Sequence, residues 1–165
     1  MMEQQPTADF CDAHPHAQVV QNKFEGFGAY GKCLGPVETI STRDDNSLVK
    51  VALAEPGDGR VLLVDNEASI NCAMLGGDLA ALGAKNGWSG IVINGAVRDV
   101  DELRETPIAI FALATCPRKS AKRGIGVRGK PVRLGGAYIR RGDILAADSD
   151  GVVFLSPWAA SRNVA

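Results

Sequence analysis

The stretch from Leu75 to Leu103, LGGDLAALGAKNGWSGIVINGAVRDVDEL, constrains the fold more than any other part of the chain. It sets a glycine turn, a short helix, a buried strand and an Arg-Asp pair in immediate succession. Gly76 and Gly77 lack a Cβ, so the backbone there can lie close to a ligand. Leu79, Leu82 and Asn86 recur at helical spacing with small residues between them, which predicts a helix from Leu79 to about Asn86. Gly87 stands where a left-handed C-terminal cap is expected. Gly90-Ile91-Val92-Ile93 is a β-branched run suited to a strand buried on both faces, ending at Asn94-Gly95. Arg98 and Asp99 follow.

Two features converge here. A helix N-terminus offers unpaired N–H groups and the positive end of a dipole, a seat for a carboxylate or phosphate. The end of a strand delivers a cation and an anion side by side, suited to a substrate oxyanion and a metal ion. The same residues also admit a plainer account. Asp99 with Glu102 three positions on is a capping-box pattern. Asp78 is an ordinary first-turn acid, and Arg98 with Asp99 can form an exposed ion pair of little energetic worth.

The motifs resemble those of the RraA-like family, which holds the 4-hydroxy-4-methyl-2-oxoglutarate aldolases and the regulator of ribonuclease E activity A. The resemblance rests on Gly76-Gly77-Asp78-Leu79-Ala80, Asn86-Gly87-Trp88 and Gly90 to Asp99. Colinear fragments extend it: Thr7 to Ala13 and Pro56 to Asp65 upstream, then Gly135-Gly136, Gly142-Asp143 and Ala147 to Val153 downstream. It implies one α/β domain over residues 1–165, a swivelling β/β/α layered domain with mixed sheets, assembled as a homotrimer with sites near subunit boundaries.

Composition agrees with one domain able to bury a real core: 165 residues, 45% hydrophobic, formal charge −1. That balance gives no general reason to expect nucleic acid or a membrane surface as partner. Cys11, Cys33, Cys72 and Cys116 are widely spaced and form no C-x-x-C pair, which suits small buried thiols in a reducing compartment. His14 and His16 flank Pro15 in what reads as a surface turn. The N-terminus lacks a basic and apolar leader, and no apolar run approaches spanning length, so a cytoplasmic protein is expected.

Along the chain, Thr7 to Ala13 reads as a capped helix start, and Gly31 to Thr42, punctuated by Gly35-Pro36, as an edge strand. Asp44-Asp45-Asn46 is a turn and Ser47 to Leu53 a short helix. Arg60 to Asp65 and Ser69 to Leu75 read as strands, as do Ile108 to Ala112 and four short segments between Val132 and Leu155. From Thr106 to Gly142 there is no acidic residue, yet the interval holds half of the chain's basic ones. Such a run is ordinarily a solvated face; an anion-binding or inter-subunit surface is the sharper alternative. Tyr138 is the one aromatic in its basic part, which leaves RNA recognition by stacking unsupported.

The resemblance further implies a divalent-metal-dependent lyase acting on α-keto acids. Cleavage of 4-hydroxy-4-methyl-2-oxoglutarate to two pyruvates, or decarboxylation of oxaloacetate, passes through a pyruvate enolate, which a hard cation stabilises. Mg²⁺ or Mn²⁺ held by the single carboxylate of Asp99 with waters suits this chemistry. Arg98 is the expected catalytic donor to the enolate oxygen. Gly76, Gly77, Asp78 and Leu79, with Arg98, are the expected substrate-binding residues, through the turn's amides. Two positions depart from many relatives, which carry Asp where Gly77 stands and Glu where Val127 stands. The alternative is a binding module that restrains a ribonuclease. The retained glycine turn and Arg98-Asp99 favour the enzyme. A nucleotide-dependent methyltransferase lacks support, because no G-x-G-x-x-G follows a first strand with an acid about twenty residues on.

Overall fold

The computed structural model describes residues 3–157. In chain order it contains α1 (Thr7–Ala13), β1 (Gln18–Val19), β2 (Glu25–Gly26), β3 (Cys33–Ser41), α2 (Ser47–Leu53), β4 (Val61–Asp65) and β5 (Ala73–Leu75). There follow α3 (Gly77–Lys85), β6 (Gly90–Val97), α4 (Val100–Glu105), β7 (Ala109–Thr115) and β8 (Val127–Arg128). A β-rich tail closes the chain: β9 (Val132–Leu134), β10 (Ala137–Ile139), β11 (Ile144–Asp148) and β12 (Gly151–Leu155).

β3 joins two sheet regions. Its first half pairs antiparallel with β11, Cys33 opposite Ala147 and Pro36 opposite Ile144. Its second half pairs parallel with β4, Val37 opposite Val61 through Ser41 opposite Asp65. β4, β6 and β7 continue the parallel part, so β3 is central rather than the expected edge strand. Pro36 is tolerated because it stands at the changeover, where a missing N–H breaks neither ladder in mid-run. Gly35 is required there, since a Cβ would run into the carbonyl oxygen of Gly59.

Three apolar layers follow from this arrangement. Leu62, Val64, Ile91, Ile93 and Ile110 face α2, α3 and α4 on one side of the parallel sheet. Val61, Leu63, Val92 and Phe111 pack on the other side against Leu145, Val152 and Phe154 of the antiparallel part. Phe10 of α1 covers the outer face with Leu34, Ala146 and Val153. The result is an α/β domain with mixed sheets in β/β/α layers. Helix α1 is held not by a cap of its own but by Asp148, which accepts from Thr7 N and Thr7 Oγ1, each at 2.7 Å.

Two local expectations change. Helix α3 begins at Gly77, and its buried face is Gly77, Ala80 and Gly83 rather than its leucines. The helix lies so close to α2 that a Cβ on Gly83 would sit 3.0 Å from Leu53 Cδ2. Strand β6 does not stop at Asn94-Gly95 but runs to Val97, crossing a register shift between Ile93 and Ala96 on its β7 side. All eight of its residues are buried.

Candidate active site

The C-terminal ends of β5 and β6 lie side by side, Leu75 opposite Val97, and each hands the chain directly to a helix. This brings Gly76-Gly77 at the start of α3 against Arg98-Asp99 at the start of α4. Gly76, Gly77, Asp78, Leu79, Arg98 and Asp99 all line one cavity of about 330 Å³. Every residue singled out in the sequence for this site is therefore brought to one place.

Asp99 occupies the N-cap position of α4 in a left-handed conformation, φ 60° and ψ 44°. Aspartate is one of the few non-glycine residues that visits this region, at a cost below the roughly 1–2 kcal/mol of other L-residues. Its carboxylate does not cap α4. Instead Oδ2 accepts the Gly77 N–H at 2.9 Å, the first amide of α3. The capping-box account of Asp99 with Glu102 therefore fails, and so does the ion pair, for among the described residues Arg98 and Asp99 form no salt bridge. The Arg98 backbone N–H is tied to Leu75 O at 2.9 Å. Its guanidinium makes one long contact, 3.5 Å, to Pro117 O. Both side chains are thus aimed by backbone constraint and left largely uncommitted.

The glycines explain themselves here. A Cβ on Gly76 would lie 2.6 Å from Asp99 Oδ2, and one on Gly77 would overlap the Glu102 carboxylate. Helix α3 has no side-chain cap, and Asp78 next to its start is exposed. The amides of Asp78 and Leu79 precede the first intrahelical bond, Ala80 N–H to Gly76 O, so they point at whatever enters the cavity. Asp99 Oδ1 receives no bond from any described residue. Among the described residues no group of three or more His, Cys, Asp or Glu side chains gathers to hold a metal. One free carboxylate oxygen fits a hard cation that keeps most of its waters.

The rest of the lining had only a faint signal in the sequence, the lysines of the acid-free interval. Asn46, Lys50, Lys119, Ser120 and Lys122 complete the cavity. The loop that carries Lys119, Ser120 and Lys122 is pinned to the Asp44-Asp45-Asn46 turn and the start of α2. Ala121 N–H donates to Asp44 O at 3.0 Å, Asn46 N–H to Ala121 O at 3.3 Å, and Gly124 N–H to Ser47 Oγ at 3.0 Å. Asp45 is fully buried and takes the N–H groups of Ser47 and Arg123. Burial pushes its carboxyl up, but these hydrogen bonds prevail and hold it below the usual carboxylate value. The acid-free interval is thus no single face. Lys119 and Lys122 serve the cavity, while Arg128 and Arg141 clamp buried Glu38 at 3.2 and 2.8 Å. Arg133 and Arg140 flank the ring of Tyr138.

Gly124, Gly126 and Gly129 have the G-x-G-x-x-G spacing, but they lead from a loop into β8 and not from a strand into a helix. They offer no helix N-terminus to a pyrophosphate. Val127 pairs with Ser41 at half exposure in that short strand.

Comparison with known proteins agrees with the geometry. The family described as RraA-like, Aldolase/RraA, matches residues 7–154. A Burkholderia multivorans protein provisionally named 4-hydroxy-4-methyl-2-oxoglutarate aldolase is 47% identical over 153 residues, 89% of this chain and 93% of that protein. A Burkholderia mallei protein of the same name is 48% identical over the same shares. Among solved structures, the RNA-processing inhibitor RraA from Thermus thermophilis superposes with a TM-score of 0.90 at 42% identity, covering 94% of each chain. A Geobacillus kaustophilus structure described as an S-adenosylmethionine:2-dimethylmenaquinone methyltransferase also reaches 0.90, at 37% identity, covering 92% of this chain and 95% of that one.

Proposed function

This chain belongs to the RraA-like family, and from that premise we propose that it is a divalent-metal-dependent lyase. Its substrate is 4-hydroxy-4-methyl-2-oxoglutarate, cleaved to two pyruvates, with oxaloacetate decarboxylation as the related activity. The observation that carries the proposal is Asp99. One of its carboxylate oxygens is fixed by the Gly77 N–H and the other accepts from no described residue, in a cavity that Arg98 also lines, which suits a ligand. The names of the Burkholderia relatives support the same reaction.

Asp99, with waters, would hold Mg²⁺ or Mn²⁺, which would supply Lewis acidity when bound. The chain's own residues do the rest. The amides of Asp78 and Leu79, at the positive end of α3, bind the carboxylate next to the 2-oxo carbon. The C4 hydroxyl loses its proton to a water, the C3–C4 bond breaks, and its electron pair moves into the 2-oxo group. There Arg98 donates hydrogen bonds to the oxygen as it becomes an enolate, the role of an oxyanion donor. C4 leaves as the ketone of one pyruvate, and protonation of C3 from water gives the second.

The test is turnover of purified protein on a panel of α-keto acids. Cleavage of 4-hydroxy-4-methyl-2-oxoglutarate stopped by EDTA and restored by Mg²⁺ or Mn²⁺ supports the proposal. Borohydride trapping of pyruvate on a lysine would replace it with a Schiff-base route. The lysines that line the cavity, Lys50, Lys119 and Lys122, are the ones such trapping would mark. We also propose a homotrimer in the cytoplasm. No described helix is long and apolar enough to cross a membrane. A second reading, restraint of a ribonuclease, is favoured by the likeness to the Thermus inhibitor. Inhibition of a ribonuclease by an Asp99→Ala protein would establish that role apart from catalysis.

A further inference from the structure

The β9–β10 hairpin carries a charged face that the active-site cavity does not use. Its turn is Gly135-Gly136, with φ of 50° and 78°, the two-residue turn whose twist suits a tight hairpin. Along both strands the alternation is strict. Val132, Leu134, Ala137 and Ile139 are buried in the second core, while Arg133, Tyr138 and Arg140 are exposed. Arg133 stands opposite Tyr138 in the register, and Arg140 follows two positions further along the chain. The guanidinium carbons of Arg133 and Arg140 lie 5.7 and 5.3 Å from the centre of the Tyr138 ring. Arg133 thus carries its charge across to β10.

Two like charges are gathered on one ring, and no carboxylate answers them. Among the described residues neither Arg133 nor Arg140 forms an ion pair. Two acids bonded to the adjoining segment are already committed. Asp143 is buried and accepts the Arg140 backbone N–H at 2.9 Å, and buried Glu38 takes the Arg141 guanidinium at 2.8 Å. Like charges held together raise the energy of a surface until an anion joins them.

The strand edge beside these charges is open as well. Leu134 and Ala137 close the turn and exchange hydrogen bonds, so in the next pair the N–H and C=O groups of Tyr138 point away from β9. β10 pairs with β9 alone, and among the described residues nothing bonds the Tyr138 N–H or C=O. A cleft of about 470 Å³, lined by residues 133–138, adjoins this edge.

We propose that the outer edge of β10 is a docking site for an extended acidic segment of a partner protein. Its backbone takes up the free N–H and C=O of Tyr138, as in strand addition to a sheet edge. Carboxylates on its alternate residues meet Arg133 and Arg140. A polypeptide suits this edge better than a nucleic acid strand, because the edge asks for an amide partner. One ring between two guanidiniums also gives no series of stacking platforms. None of these three side chains lines the active-site cavity, so the site stands or falls apart from the lyase reading.

Fluorescence anisotropy of the full chain with a labelled eight-residue peptide alternating Glu and Thr tests this. The peptide should bind, and more weakly as NaCl is raised. Arg133→Ala and Arg140→Ala should each weaken binding by about 2- to 5-fold, as exposed ion pairs do. The double variant Arg133→Glu/Arg140→Glu should lose the acidic peptide and gain one alternating Lys and Thr. N-methylation of the acidic peptide's backbone should abolish binding, since it keeps the charges and removes the strand pairing. The substituted side chains are exposed and outside the cavity, so melting temperature and α-keto acid turnover should stay at their wild-type values. No binding of the acidic peptide, equal binding by the charge-reversed protein, or equal binding of the N-methylated peptide would overturn the proposal. Tighter binding of an oligouridylate than of the peptide would overturn it too, in favour of a nucleic acid partner.

Discussion

Gly76→Ala tests the site with the least disturbance elsewhere. Gly76 has φ −128° and ψ −169°, an extended conformation open to any residue, so the substitution brings no backbone strain. Its Cβ would lie 2.6 Å from Asp99 Oδ2 and 3.4 Å from Arg98 Nε. An ordinary contact needs about 3.5 Å, so the carboxylate must retreat by roughly 1 Å. That breaks its 2.9 Å bond from Gly77 N–H. Losing a hydrogen bond to a charged group costs about 1.5–3 kcal/mol. The reduced freedom of the unfolded chain returns about 0.4–1 kcal/mol. The net loss, about 1–2 kcal/mol, leaves a folded protein. Catalysis should suffer far more, because a misplacement near 1 Å at a reacting centre costs about 10²-fold. Urea denaturation gives the first quantity; cleavage rates across a Mg²⁺ titration give the second, with a higher Mg²⁺ requirement expected. Gly77→Ala is the control. Its nearest contacts are with the exposed Glu102 side chain, whose carboxylate can swing away while its Cβ, at 3.2 Å, must give by a few tenths of an ångström, so its rate should fall less. A folded Gly76→Ala protein with wild-type rate and Mg²⁺ requirement would refute the role given to Asp99.

Other consequences follow from the same contacts. Asp99→Ala and Asp99→Gly should both lose metal-dependent turnover, but the glycine variant should be about 1 kcal/mol more stable by urea denaturation, because only it relieves the left-handed strain; equal stabilities would remove that strain from the account. Glu38→Ala should destabilise by about 3 kcal/mol, since it leaves the guanidiniums of Arg60, Arg128 and Arg141 around an uncompensated site, and the lower end of the range applies because Arg141 stays half exposed. Burial pushes the Glu38 carboxyl up, but the Arg141 hydrogen bonds, the Thr39 N–H and the Arg141 and Arg128 charges prevail and hold it below the usual value. Asp44, Asp45 and Asp148 are likewise lowered. A lowered folded value gives stability that is present above the unfolded pKa and lost as pH falls through the folded one, so the urea midpoint should hold at neutral pH and drop below about pH 4, less steeply in Glu38→Gln. Sedimentation at micromolar concentration should give a trimer, and a monomer would contradict that assembly.

The sequence carried the active-site half that is local. Gly76 to Asp99 is contiguous, and its turn, helix, cap and strand each have their own signal. What it hid was set by tertiary contact. Pro36 reads as an edge marker, and only the change of partner within β3 explains its central place. The leucines of α3 carry its helical period, yet close approach to Leu53 gives the buried face to Ala80 and Gly83. The tie from Asp148 to Thr7 spans nearly the whole chain and has no local signal. The rest of the cavity lining had a faint signal, the lysines of an acid-free interval.

The central claim is that Asp99 and Arg98 together generate an enolate, and proton exchange tests it without bond cleavage. Pyruvate incubated with the protein and Mg²⁺ in D₂O should lose its methyl proton signal by NMR. EDTA or Asp99→Ala should abolish the exchange, and Arg98→Ala should slow it by about 10²–10³, the effect of removing one oxyanion donor. Exchange that proceeds unchanged in EDTA, or in the Arg98→Ala protein, would contradict the account.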